Sequence, residues 1–193
     1  HGMLIAGVDE VGRGALFGPV VAAAVILHPD AEAWLQDQGV TDSKALIPKK
    51  RQSLVPVIQS AAVDIQISWV SVQQIERINI LQASLQAMQQ AVNRLSPRPT
   101  RCLIDGNQAI PQLGIEQQTI VKGVQSVVAI AAASIIAKVW RDTLIIRLSH
   151  RYPGYDLASN KGYGTPNHLS GLEKLGPTRY HRRSFKSVSN LSH

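Results

Sequence analysis

Cysteine is almost missing from this chain: Cys102 is the only one among 193 residues. An internal disulfide and a cysteine-rich zinc site are both excluded, which suits a reducing compartment. Long apolar runs are missing as well. The two longest, ALFGPVVAAAVIL and VVAIAAASIIA, fall short of the roughly 20 residues that cross a bilayer, and no charged leader with a cleavage site precedes them. The expectation is a cytoplasmic protein with no membrane segment. His1 and Gly2, ahead of Met3, read as an expression remnant. Repeats, low-complexity linkers and a G-x-x-x-x-G-K-[ST] phosphate loop are absent too. Acid is in deficit, with 13 acidic residues against 20 basic ones.

What is present is ordinary for a folded protein: 45% hydrophobic and 17% charged residues in a length that suits one domain with a full core. The net charge of +7 is unevenly spread. Basic residues gather at 44–51 and again at 179–186. Such clusters point to a polyanionic partner or to a solubilising surface, and charge alone leaves both open.

Hydrophobic periodicity gives an alternating α/β order. LIAGV and PVVAAAVIL read as strands joined by a glycine-rich turn, and VDIQISWVS and RCLID read as two more. AEAWLQDQ is a short helix, Pro48 opens another, and residues 75–95 place Ile75, Ile78, Leu81, Leu85, Met88 and Val92 on one helical face. Residues 127–148 form a long helix. The tail from Tyr152 is mostly loop, with a short helix near 169–175. One mixed sheet covered by helices follows from this order.

Chemistry concentrates in VDEVGRGALFGPV, residues 8–20. Asp9 and Glu10 could simply end a strand that Gly12 and Gly14 turn, with Arg13 pairing to a carboxylate. Gly12, Gly14 and Gly18 also invite comparison with a dinucleotide loop. That loop must open a helix whose amino terminus faces the pyrophosphate, whereas here the third glycine comes one place late and Pro19 leads into a strand. A different reading starts from RCLID, which also ends in a carboxylate. Neighbouring strands would set Asp105 beside Asp9, and three converging acids are costly unless they hold protons or cations. Hard oxygen donors without Cys or His favour Mg²⁺ or Mn²⁺ over zinc.

DEVGRG at 9–14, GP at 18–19, DSK at 42–44, IDGN at 104–107, AAASIIAKVWRD at 131–142, KGYGT at 161–165 and HRRSF at 181–185 come in the order found in bacterial ribonuclease HII, which the chain resembles over nearly its whole length. The resemblance implies an α/β ribonuclease H-like fold: a mixed five-stranded sheet flanked by helices. It implies one catalytic domain over residues 1–193, with a small helical and loop extension from about 151 to 193 that contributes to substrate binding. It further implies a monomeric endonuclease that cuts RNA in RNA/DNA hybrids and nicks duplex DNA at embedded ribonucleotides, leaving 3′-hydroxyl and 5′-phosphate ends. Asp9, Glu10 and Asp105 then hold Mg²⁺ or Mn²⁺. Gly12, Arg13 and Gly14 read the ribose 2′-hydroxyl, Tyr163 stacks on the neighbouring sugar, and Lys44 meets a phosphate, with Asn79 as a further candidate for that work. Arg182 and Arg183 either extend the basic track or clamp the tail, and Asp142 suits a helix-surface ion pair.

One position departs from the family pattern. A K-G-D segment usually supplies a fourth carboxylate, and this chain reads IVKGVQS, with Val124 there. Valine cannot coordinate a cation. Asp142 is a poor substitute, being roughly 22 Å along a helix that starts at 127, and Glu116 lies on the preceding loop. The alternative expectation is a hybrid-binding module with impaired cleavage.

Overall fold

The computed structural model describes residues 3–191; the remnant read at His1 and Gly2 lies outside them. Five strands form one sheet in the order β3-β2-β1-β4-β5. Strand β1 (Ile5–Val11) runs antiparallel to β2 (Val20–Leu27), which runs antiparallel to β3 (Ala62–Val70). On its other side β1 is parallel to β4 (Arg101–Asp105), and β4 is parallel to β5 (Glu116–Ile120). The mixed sheet implied by the resemblance is therefore present.

Strand β2 explains the layering. Every residue of VVAAAVIL is buried, because alternate side chains enter different cores. Val20, Ala22, Ala24 and Ile26 pack with the face of α4 (Ile80–Asn93), while Val21, Ala23, Val25 and Leu27 pack with α2 (Pro48–Ala61) and α6 (Val128–Ser149). Helix α1 (Ala31–Asp37) borders that second core through Leu35. Small residues let α6 approach very closely. A Cβ on Gly7 would stand 2.1 Å from the Ala129 carbonyl carbon, so the amino-terminal half of α6 lies directly on β1. That contact brings α6 side chains to the end of β1 where the acids stand.

Residues 75–95 are two helices, α3 (Val72–Ile78) and α4, instead of one. Asn79 breaks them at φ +74°, and its side chain accepts the Gln82 N–H at 3.0 Å. Asn followed three residues later by Gln is an N-cap signature, hidden here by the continuous apolar stripe around it. Strand β5 is the other difference. EQQTI has neither an apolar run nor a clean alternation, and the edge strand is held by its ladder to β4. Glu116, expected on a loop, is the first residue of that strand.

The C-terminal segment carries α7 (Leu157–Asn160), α8 (Pro166–Leu175) and α9 (Lys186–Ser189). Its own apolar cluster joins Leu16 and Phe17 to Ile145, Tyr155, Leu157, Leu172 and Val188. The tail is thereby packed against the turn between β1 and β2. Among the described residues, no helix is long and apolar enough to cross a membrane.

Candidate active site

Parallel pairing of Val8 with Ile104 sets the last residues of β1 and β4 side by side. Asp105 ends β4, as the strand-end reading requires, whereas Asp9 and Glu10 lie inside β1, which stays paired with β2 through Val11. Asp9 is buried; Glu10 and Asp105 are half-buried. A cavity of about 510 Å³ opens over them. Asp9, Glu10, Gly12, Arg13, Gly14, Lys44, Asp105 and Tyr163 all line it, together with Val124 and Lys138; Asn79 does not.

The turn after β1 begins at Gly12, which has φ +92°, a conformation that favours glycine. Lys44 comes from a 3₁₀ turn at Ser43–Ala45, capped by Asp42, whose carboxylate accepts the Lys44 N–H at 3.1 Å. Arg51 holds this turn from below, donating to the carbonyls of Ser43 (2.9 Å) and Leu46 (2.6 Å). One member of the first basic cluster is thus a buried brace and not a surface charge. The Ser134 hydroxyl on α6 accepts the Ser43 N–H at 3.3 Å, which ties the turn to the helix.

The electrostatics are those of crowded acids. Burial, then the charges of Glu10 and Asp105, push the Asp9 carboxyl well above its ordinary range, partly offset by a backbone hydrogen bond and Lys44. Burial also raises Glu10, against the lowering effect of Arg13. Among the described residues no three Asp, Glu, His or Cys side chains are gathered into a ready-made cation cage. The donor set nevertheless fits a divalent cation. Three hard carboxylates share one cavity, and the ionised forms of Asp9 and Glu10, which burial and neighbouring carboxylates disfavour, are those that a cation would stabilise.

Tyr163 forms the opposite wall. A Cβ on Gly14 would lie 3.9 Å from its ring, and the ring is flanked by Lys138 Nζ at 5.7 Å and the Arg141 guanidinium at 5.6 Å. Asp142 pairs with Lys138 at 3.0 Å and lies 3.9 Å from Arg51. It is an ion-pair partner, as expected, and it steadies a cation that sequence reasoning missed. The signal for Lys138 was available, since it stands four residues after Ser134 and four before Asp142 on one helix face. Burial lowers the Lys138 pKa, while Asp142 raises it.

Other expected residues take structural places. The Asn79 side chain is engaged as the α4 cap. Arg182 is wholly buried, whereas Arg183 is exposed, so of the two basic-track candidates only Arg183 lies on the surface. Val124, on the short helix α5 (Gly123–Ser126), lines the cavity, and its N–H donates to Asp105 Oδ1 at 3.4 Å.

Comparison with known proteins agrees with this arrangement. Residues 6–188 match the family model described as ribonuclease HII. The chain belongs to the ribonuclease HII family. It is 61% identical over 181 residues to a ribonuclease HII of Acaryochloris marina, covering 94% of this chain and 91% of that one. With a ribonuclease HII of Trichodesmium erythraeum it shares 58% identity, covering 96% and 88%. The solved ribonuclease H2 of Pyrococcus horikoshii superposes with a TM-score of 0.83 at 28% identity, over 98% of this chain and 97% of that one. A ribonuclease HIII solved with Mn²⁺ shares the fold at TM-score 0.76 and 21% identity, over 98% of this chain and 69% of that one. As a ribonuclease HII, the chain is a divalent-metal-dependent endonuclease of RNA/DNA hybrids and of embedded ribonucleotides. The alternative of a binding module with impaired cleavage, raised by Val124, finds no support in these relationships.

Proposed function

We propose that Asp9, Glu10 and Asp105 are the metal-binding and catalytic carboxylates, that the cation is Mg²⁺ or Mn²⁺, and that Gly12, Arg13, Gly14, Lys44 and Tyr163 hold the substrate. The observation that carries this reading is the meeting of acids, glycine turn, lysine and tyrosine around one cavity. When bound, a divalent cation supplies charge neutralisation at the scissile phosphate and activation of water for in-line displacement. The three carboxylates fix where that charge sits. Absence of a side chain at Gly12 makes room for Arg141, 2.4 Å from where a Cβ would stand, and at Gly14 it leaves the backbone open beside the Tyr163 ring, within reach of a ribose whose 2′-hydroxyl separates RNA from DNA. Tyr163 offers a flat face to the neighbouring sugar, and Lys44 sets register through a phosphate without reading sequence.

In this reading residues 1–193 act as one monomeric catalytic domain in the cytoplasm, and residues from about 151 onward contribute Tyr163 to substrate binding. Calorimetric titration with Mn²⁺ tests the metal assignment. Asp105→Asn should weaken binding and depress nicking together, with the far-UV spectrum unchanged. Unaltered Mn²⁺ affinity in Asp9→Asn, Glu10→Gln and Asp105→Asn alike would remove it.

A further inference from the structure

Arg182 is a fully buried cation with no carboxylate partner. Its side chain has no exposure, and no described residue forms an ion pair with it. A buried guanidinium is tolerated only where its donors are matched. Here all three matches are backbone carbonyls of the turn between β1 and β2: Nε donates to Gly18 O at 3.0 Å, and the two terminal nitrogens donate to Arg13 O at 2.9 Å and Gly12 O at 2.7 Å. Arg141 supports the same turn from α6, donating to Phe17 O at 2.7 Å and Pro19 O at 3.0 Å.

Peptide planarity gives these bonds a directional consequence. In a trans peptide the carbonyl and the following N–H point to opposite sides. Holding Gly12 O and Arg13 O toward the interior therefore turns the N–H groups of Arg13 and Gly14 away from it. Both residues line the cavity, and among the described residues neither N–H has a backbone acceptor. Two adjacent free donors on one side of a turn suit a single oxygen acceptor. Arg182 is itself held in register: its N–H donates to Leu16 O at 2.8 Å, and Gly18 N–H donates to Tyr180 O at 2.9 Å.

We propose that Arg182 is a positioning residue for ribose selection, acting from the C-terminal segment by gripping the Gly12 and Arg13 carbonyls so that the next two amides face the sugar. The proposal rests on the reading that this turn meets the 2′-hydroxyl. Arg182 touches no substrate, so it should govern discrimination between RNA and DNA and not general affinity.

The test compares binding of two otherwise identical duplexes, one all DNA and one with a single ribonucleotide, in metal-free buffer, using wild type, Arg182→Lys and Arg182→Gln. Lys keeps the charge but loses the fork; Gln removes the buried charge and spares part of the hydrogen bonding. Both variants should lower the preference for the ribonucleotide duplex about tenfold while all-DNA affinity stays within about twofold. An equal fall in both affinities would mean that Arg182 only maintains the fold, and an unchanged preference would mean that it does not orient the turn. Either result overturns the proposal. Amide resonances of Arg13 and Gly14 in wild type test the premise separately. They should shift on adding the ribonucleotide duplex and much less with the all-DNA duplex; failure there sinks the ribose reading itself.

Discussion

Acid should loosen the Tyr163 loop through a buried histidine pair. Thr178 N–H donates to His181 Nδ1 at 2.9 Å, so the proton of His181 sits on Nε2 and points to His168 Nε2 at 2.9 Å. His168 must then carry its own proton on Nδ1, where it donates to the Tyr163 carbonyl at 2.8 Å. Both rings are neutral in this chain of bonds, and a further proton on His181 Nδ1 would displace the Thr178 N–H that donates there. Burial, then His168 on α8 and Arg183 on the tail itself, push His181 from 6.5 down to about 3. Between those values the unfolded chain binds more protons than the folded one, so stability is complete above 6.5 and declines as pH falls toward 3. At about pH 4.5, two units into that window, the loss is about 3 kcal/mol at roughly 1.4 kcal/mol per unit. Urea unfolding at about pH 7 and pH 4.5 measures it. Carboxylates titrate in the same range, so His181→Gln serves as reference, since its amide can accept from Thr178 and donate to His168 without titrating. Wild type should lose about 3 kcal/mol more than this variant between the two conditions. Equal losses would refute the assignment of protons along Thr178, His181, His168 and Tyr163.

Three further outcomes follow from the cavity. Lys44→Ala should weaken binding of hybrid and of DNA alike and make the slope of log affinity against log salt shallower by about 0.9; an unchanged slope argues against a phosphate contact. Tyr163→Ala should lose on the order of 1 to 3 kcal/mol of productive interaction with a single-ribonucleotide duplex, and Tyr163→Phe less. Equal rates for the alanine variant and wild type would end that role. Val124→Asp adds a carboxylate beside Asp105 and should lower the cation concentration at half-maximal nicking severalfold, whereas an unaltered requirement would show that the side chain at 124 does not reach the ion.

Much of this site was legible because its carboxylates terminate apolar runs. LIAGV and CLID each announce a strand by composition, Asp105 marks the end of the second while the first runs on through Asp9 and Glu10 to Val11, and a parallel register between them suffices to join Asp9 to Asp105. The layering was legible from β2, whose unbroken apolar run demands cover on both faces. Strand β5 was not, because EQQTI is stabilised by a ladder to β4 whose partner is distant in sequence and contributes no local pattern. The turn at Asn79 was overridden by an apolar stripe that continues through it. Buried cations were the least legible part. Arg51, Arg141 and Arg182 differ from surface arginines only in what they meet, namely carbonyls of turns that tertiary packing brings to them. Lys138 was legible only as a helix-face partner of Asp142; its place at the cavity depends on α6 lying against Gly7, a contact visible once helix and strand are assembled.

Nicking of a DNA duplex that carries one ribonucleotide, followed with Mg²⁺ and then with Mn²⁺, tests the central claim most directly. Cutting should require the cation, occur beside the ribonucleotide, leave a 3′-hydroxyl and a 5′-phosphate, and disappear in Asp9→Asn while the all-DNA duplex stays intact. Tight binding without cutting under both metals, or cutting that persists in Asp9→Asn, would contradict the account.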